Sequence, residues 1–178
     1  MLRQIAAGEI PFVNQAFKAS AGGHEALEPV FTLFDAFVTV PTARKASITQ
    51  GRALLTAIQS AYPQHSVADF RSWLRDRQLD PHFAPTFGFV ARLIGVTHVE
   101  AVRGYLFIAV RDQVYAAVRL GILGPLEAQR MLGEILTEIE AIAGSALERE
   151  CYQAYKSCTV LEIAQVHHSR LYSRLFQS

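Results

Sequence analysis

The sequence predicts an all-α fold, a single-domain bundle of roughly seven to nine helices around one long central helix. Three observations carry this. Residues 97–121, THVEAVRGYLFIAVRDQVYAAVRLG, have a helical period and marked ends. Downstream, Ala128, Leu132, Ile135, Ile139 and Ile142 recur at alternating spacings of four and three, the seam of a helix that packs lengthwise on another. Period-two alternation of strand length is missing, as is any repeat of about 20 to 50 residues such as solenoids show.

Taken in order, residues 1–7 are helix-like, and Gly8, Glu9 and Pro11 mark a break before Phe12, Val13 and Phe17 resume a helical spacing toward Gly22 and Gly23. Residues 24–40 carry Leu27, Phe31, Phe34 and Val38 on one side, and that helix is expected to end before Pro41, because a residue preceding proline is steered out of the α region. Residues 42–62 read as an amphipathic helix. Ile48, Leu55, Ile58 and Tyr62 form its apolar side, Lys45 and Arg52 a basic face, and Ser47 and Gly51 are small enough for close packing. Ser66 and Asp69 suit the start of a helix through Phe70, Trp73 and Leu74, with Arg71, Arg75, Asp76, Arg77 and Asp80 as its solvated side. The run PHFAPTFGF at 81–89 then reads as an ordered aromatic connector leading to a short helix over 90–95.

Thr97 and Glu100 have the form of a capping box, and Gly121 suits the left-handed conformation that ends a helix. At about 100° per residue, Val99, Val102, Leu106, Ala109, Val110, Ala117 and Leu120 cover a wide arc. Glu100, Arg111, Asp112 and Arg119 sit mainly opposite. The helix is therefore expected to be mostly buried, with the rest packed on it. Gln113 falls inside the apolar arc and is expected to hydrogen-bond a neighbouring helix, since a buried amide needs partners. Gly124 and Pro125 open the next helix in the favoured first-turn arrangement. Gly144 is expected to end it, and residues 146–156 to form a further helical segment with Tyr152 and Tyr155. The last residues are patterned separately, which divides the chain into a helical domain at 1–160 and a tail at 161–178.

Hydrophobic residues make up 51% and charged residues 19% of the chain. The charged share falls below the roughly 25% usual for soluble domains, so apolar surface is expected to meet partners. A net charge of +1 with interspersed signs leaves no electrostatic footprint for nucleic acid or an anionic membrane. No apolar run approaches the ~18 residues that span a bilayer, and the N-terminus lacks the order of a signal peptide. A cytoplasmic protein is expected. Cys151 and Cys158 are the two cysteines, too few for a disulfide framework and without C-x-x-C spacing. They read as small buried hydrophobes, on one side of a helix if it is continuous.

Catalytic motifs are missing: neither a phosphate loop, nor G-x-G-x-x-G, nor H-E-x-x-H, nor G-x-S-x-G occurs. Of the six histidines only His167 and His168 are adjacent, and neighbours on a helix point about 100° apart, so they are poorly placed for one ion. Glu127, Glu134, Glu138 and Glu140 read as solvated helix positions. Two other classes stay open on the residues alone. One is a helical enzyme or carrier with a small-ligand pocket lined by Phe83, Phe87, Phe89 and Tyr105, with His82 and Gln113 as polar groups. The other is a scaffold that only oligomerises.

The tail LEIAQVHHSRLYSRLFQS at 161–178 resembles the C-terminal signature of the urease accessory protein F family, whose members end in a His-containing segment and a Tyr-Ser-Arg-Leu-Phe-type terminus. The likeness extends through TARKASITQGRALL at 42–55, HFAPTFG at 82–88 and YLFIAVRDQVYAAVRLGILGPLEAQRML at 105–132, and so covers most of the chain. The resemblance implies a non-enzymatic, all-helical, usually dimeric chaperone of urease maturation. Such a chaperone binds accessory protein H or D on one side and the nickel-carrying GTPase, accessory protein G, on the other. Through that complex it reaches the urease apoprotein, and it modulates the GTPase. Nickel is then the cargo, with no cofactor held tightly by this chain. His168, Tyr172, Arg174, Leu175 and Phe176 match the family's tail and are the expected partner-binding residues. Ser169 stands where the family usually has a glutamate, and the family's Gly-, Ser- and Tyr-rich leading segment with its first helix is expected to be missing ahead of residues 1–19.

Leu171, Tyr172, Leu175 and Phe176 would make one apolar stripe if helical. Residues 170–178 are too few to hold a helix alone, since isolated helices below ~12 to 15 residues are marginal in water. The stripe is expected to become fixed when a partner covers it.

Overall fold

A computed structural model of the chain describes residues 2–65 and 67–156, and among these it contains eight α-helices and no strand. They are α1 (Leu2–Gly8), α2 (Ile10–Ala19), α3 (Glu28–Phe37), α4 (Pro41–Ala61), α5 (Val67–Asp76), α6 (Phe83–Leu93), α7 (His98–Arg119) and α8 (Pro125–Ala146). Short 3-10 turns occur at Ser20–Gly22, His24–Leu27 and Cys151–Gln153. The all-α expectation holds.

The innermost packing is α2 on α6. Ile10 and Val13 of α2 and Ala84 of α6 are fully enclosed, as is His82 immediately before α6. A methyl group built on Gly88 would lie 2.3 Å from the Val13 carbonyl oxygen, so the two backbones meet directly there. Gly51 does the same for α4, where a methyl group would fall 1.7 Å from the Pro81 carbonyl oxygen. Close-packing at Gly51 was legible in the sequence; its partner was not.

The long helix α7 is present and capped as expected. Thr97 accepts from the Glu100 N–H at 3.4 Å, and Glu100 returns a carboxylate to the Thr97 N–H at 3.0 Å. Gly121 takes the left-handed φ of 70° just past its end. It is not the element on which everything packs. Ala101, Val102, Tyr105 and Leu106 enter the core, but beyond Val110 and Val114 the buried arc narrows, and Gln113 is exposed. The C-terminal half of α7 belongs to a hairpin with α8, and one neighbour covers only a stripe. The seam of Ala128, Leu132, Ile139 and their half-buried neighbours Ile135 and Ile142 supplies the α8 side.

Four boundaries differ from those expected. Residues 24–40 are not one helix: Gly23 at φ 90° breaks the backbone, a 3-10 turn follows, and α3 starts at Glu28 with Pro29 in its first turn. The aromatic run at 81–89 is itself helical. His82 holds the extended N-cap conformation, and Pro85 falls in the first turn, where a missing N–H costs nothing. Helix α8 runs past Gly144 to Ala146, and of the expected helical segment at 146–156 the residues from 147 on leave the helical path except for the turn at Cys151–Gln153. Tyr62, placed on the apolar side of α4, lies just beyond the helix end and is exposed.

Candidate functional site

The expected partner-binding residues His168, Tyr172, Arg174, Leu175 and Phe176 lie outside the described residues, as do His167 and Cys158. Where the chain arrives at them is defined. The Tyr155 N–H donates to the Ala7 carbonyl at 3.2 Å, and Lys156 donates to the Thr39 hydroxyl at 3.2 Å. Its ammonium also lies 5.1 Å from the centre of the Phe37 ring. The Cys151 thiol contacts the Pro11 carbonyl at 3.5 Å. The segment before the tail is thus fastened across α1, α2 and the end of α3. Burial pushes the Cys151 thiol up to about 11, so it stays protonated and unreactive at neutral pH. Its half-buried position agrees with the reading as a small hydrophobe, on a turn rather than a helix.

Three polar groupings fasten the helices beneath this exit. Asn14 on α2 donates from its amide to the carbonyls of Ala146 at 2.7 Å and Arg149 at 3.1 Å, so its oxygen is left to accept from His98 Nε2 at 2.9 Å. The network therefore assigns the His98 proton to Nε2. His98 also stacks on Phe17 with ring centres 4.8 Å apart. Partial burial, with help from Lys18, lowers the pKa of its imidazole. Tyr105 on α7 donates to Glu9 at 2.6 Å across the α1–α2 junction. Burial raises the pKa of both groups, and the neighbouring carboxylate raises that of Tyr105 further.

The third grouping lies at the start of α6. His82, fully enclosed, meets Asp35 through Nε2 at 2.8 Å and the Ser47 hydroxyl through Nδ1 at 3.3 Å. Although burial works the other way, hydrogen bonds from His82 and Arg44 hold the Asp35 carboxyl below its usual value. Serine, histidine and aspartate stand here in the order of a hydrolytic triad. However, the Ser47 oxygen also accepts the Phe83 N–H at 3.0 Å, which caps α6 from a neighbouring helix. The arrangement joins α3, α4 and α6. Sequence reasoning singled out Ser47 for its size and His82 for a ligand pocket; no spacing revealed that Asp35 would meet them.

The aromatic pocket considered for a small ligand does not form. Phe83, Phe87 and Tyr105 pack on one another with ring centres 5.3 to 5.9 Å apart, while Phe89 stacks on Phe70 at 3.8 Å on another side. Gln113 is on the surface. Phe89 and Tyr105 are buried in the core and Phe83 and Phe87 pack half-buried against it, because each ring finds another ring.

The surface does carry exposed apolar side chains. Around the α7–α8 turn, Ile122 is 70% and Leu126 88% exposed, with Tyr115 and Leu120 also open. Among the described residues no helix is long and apolar enough to cross a membrane, and no group of three or more His, Cys, Asp or Glu side chains could hold a metal ion.

Comparison with known proteins adds the relationship. Residues 1–136 match the family model named UreF. Urease accessory protein F of Oryza sativa subsp. indica is 32% identical over 146 residues, covering 81% of this chain and 56% of its own length. The protein of the same name from Arabidopsis thaliana is 33% identical over 174 residues, covering 95% and 70%. Urease accessory protein UreF of Trichodesmium erythraeum is 29% identical over 133 residues, covering 75% and 57%. The chain thus spans little more than half the length of the rice and Trichodesmium proteins.

Proposed function

This chain belongs to the UreF family, and from that premise we propose that it acts as a non-enzymatic adaptor in the nickel-dependent maturation of urease. In this reading it bridges accessory protein H or D and the nickel-carrying GTPase, accessory protein G, modulates that GTPase, and reaches the urease apoprotein through the complex. Nickel is cargo passed within the assembly, and the chain alone holds no metal or nucleotide tightly. It works in the cytoplasm as a homodimer, and His168, Tyr172, Arg174, Leu175 and Phe176 are the tail residues that engage a partner.

The observation that carries the proposal is the family match over residues 1–136. The exposed apolar side chains at the α7–α8 turn support it, since neighbouring open side chains such as Ile122 and Leu126 suit a contact with a protein partner. The α8 seam offers no such support for a dimer, being spent against α7. A small-ligand enzyme gains nothing from the structure, because the rings that would line its pocket pack on one another in and against the core.

Co-expression with the two accessory proteins and the urease subunits tests the proposal. The tagged chain is expected to retain accessory protein H or D and the GTPase on an affinity column, and to raise the nickel content of the urease formed. If neither partner is retained and nickel loading is the same without the chain, the adaptor reading is wrong.

A further inference from the structure

Several arginines among the described residues bind one segment to another. Arg77 closes on Glu25 and Glu28, Arg44 on Asp35, and Arg103 on Glu140, each a close carboxylate pair that ties two segments together. Arg52, Arg71 and Arg75 are different. Arg52 stands 3.7 Å from Asp80, which Arg44 also approaches at 3.7 Å. Arg75 meets its neighbour Asp76 at 3.6 Å and donates to the neutral Ser72 hydroxyl at 3.3 Å, with the Arg75 and Asp76 side chains largely in solvent. Arg71 donates to the neutral Thr56 hydroxyl at 2.8 Å.

These three loosely engaged guanidinium groups rim one cavity of about 510 Å3 between α4 and α5. Leu55, Leu74, Leu79 and Pro81 supply its apolar walls, and Leu55 and Leu74 are themselves buried. Three positive charges face one lining carboxylate, Asp80, so the rim carries a formal excess of two. The wall nearest Pro81 is fixed, because Gly51 lets α4 sit directly on the Pro81 carbonyl.

We propose that this groove is a docking site for an acidic segment of a protein partner, whose carboxylates pair with Arg52, Arg71 and Arg75 while an apolar side chain enters between Leu55 and Leu74. A planar guanidinium meets a carboxylate through two parallel N–H donors, a directional pairing that a single hydroxyl or a carboxylate 3.6 to 3.7 Å away does not supply. The apolar walls select a peptide over a bare anion. They also disfavour nucleic acid, because none of the lining residues is an aromatic ring on which a base could stack. The adaptor reading names the kind of assembly in which such a partner occurs; the chemistry of the groove does not depend on it.

The probe is a fluorescent octapeptide alternating glutamate and leucine, titrated with the full chain. Its binding is expected to weaken by at least about tenfold between about 50 and 300 mM NaCl, as partly exposed ion pairs are screened. Arg71→Glu with Arg75→Glu should weaken it by at least about tenfold at the lower salt, since each of two lost charge-assisted bonds contributes on the order of a tenfold factor. Arg111→Glu with Arg130→Glu, the same charge change elsewhere, should leave it within about twofold. A photoreactive leucine in the peptide should crosslink the unmodified chain within residues 52–56 and 71–75. Crosslinks elsewhere, equal loss in both double variants, binding of a lysine–leucine peptide as tight as the acidic one, or displacement of the peptide by an equimolar phosphodiester oligonucleotide would each overturn the proposal. Failure to retain accessory proteins on a column would sink the adaptor reading and leave these titrations unaffected.

Discussion

A methyl group at Gly88 would press on the Val13 carbonyl at 2.3 Å and on Ala16 Cβ at 3.1 Å, where α2 and α6 have no slack. Gly88→Ala is therefore expected to destabilise the fold by about 1 to 3 kcal/mol, the usual cost of overpacking. Gly133→Ala, on a helix position with open space around it, should instead stabilise by about 0.5 to 1 kcal/mol through helix propensity. Urea titration of both variants separates the two effects. If Gly88→Ala is neutral, the direct backbone contact is not there. His98 gives a pH prediction. Its pKa is lowered in the folded protein, so the unfolded chain binds the proton more readily. Stability is complete above the unfolded value of about 6.5 and declines as pH falls from there toward the folded value. His98→Gln, which keeps an N–H for Asn14, should flatten the melting temperature between about pH 7 and 5 relative to the parent. An unchanged slope would remove His98 from the account.

Helix α7 owes its start to two side chains that the sequence displays openly. Thr97→Ala removes the acceptor for the Glu100 N–H and is expected to cost about 1 kcal/mol, read as a lower denaturation midpoint with an unchanged slope. A cost near zero would mean that packing alone sets the boundary. Ends of this kind, including Gly121 and the Gly124–Pro125 start of α8, are legible because the capping chemistry is local. The stretch at 81–89 looks like a connector for the opposite reason. Two prolines and a glycine look like a connector until the structure shows that Pro85 falls in a first turn and Gly88 at a helix crossing. Both positions depend on where α2 and α4 lie, which no spacing within the segment records.

The described body from 2 to 156 buries its own core, reaching from Leu2 to Ala146 with Cys151 packed against it. Deleting residues 170–178 is accordingly expected to leave helical circular dichroism and melting nearly unchanged while abolishing retention of accessory protein H or D or of the GTPase, with Arg174→Ala weakening it in the same direction. Unfolding on deletion, or full retention of both partners after it, would make the tail a structural element or a bystander. By itself the sequence determined the helical class, the capped α7, the α7–α8 seam and, through its motifs, the family. All of these follow from residue periodicity, local capping or linear resemblance. The tertiary structure alone decided that the centre is the α2–α6 crossing rather than α7 and that Gln113 meets water. It also brought Asp35, Ser47 and His82 together and set three arginines around one groove. These depend on which distant segments share a neighbourhood, a quantity fixed by packing volume and backbone approach rather than by the order of residues along any one helix.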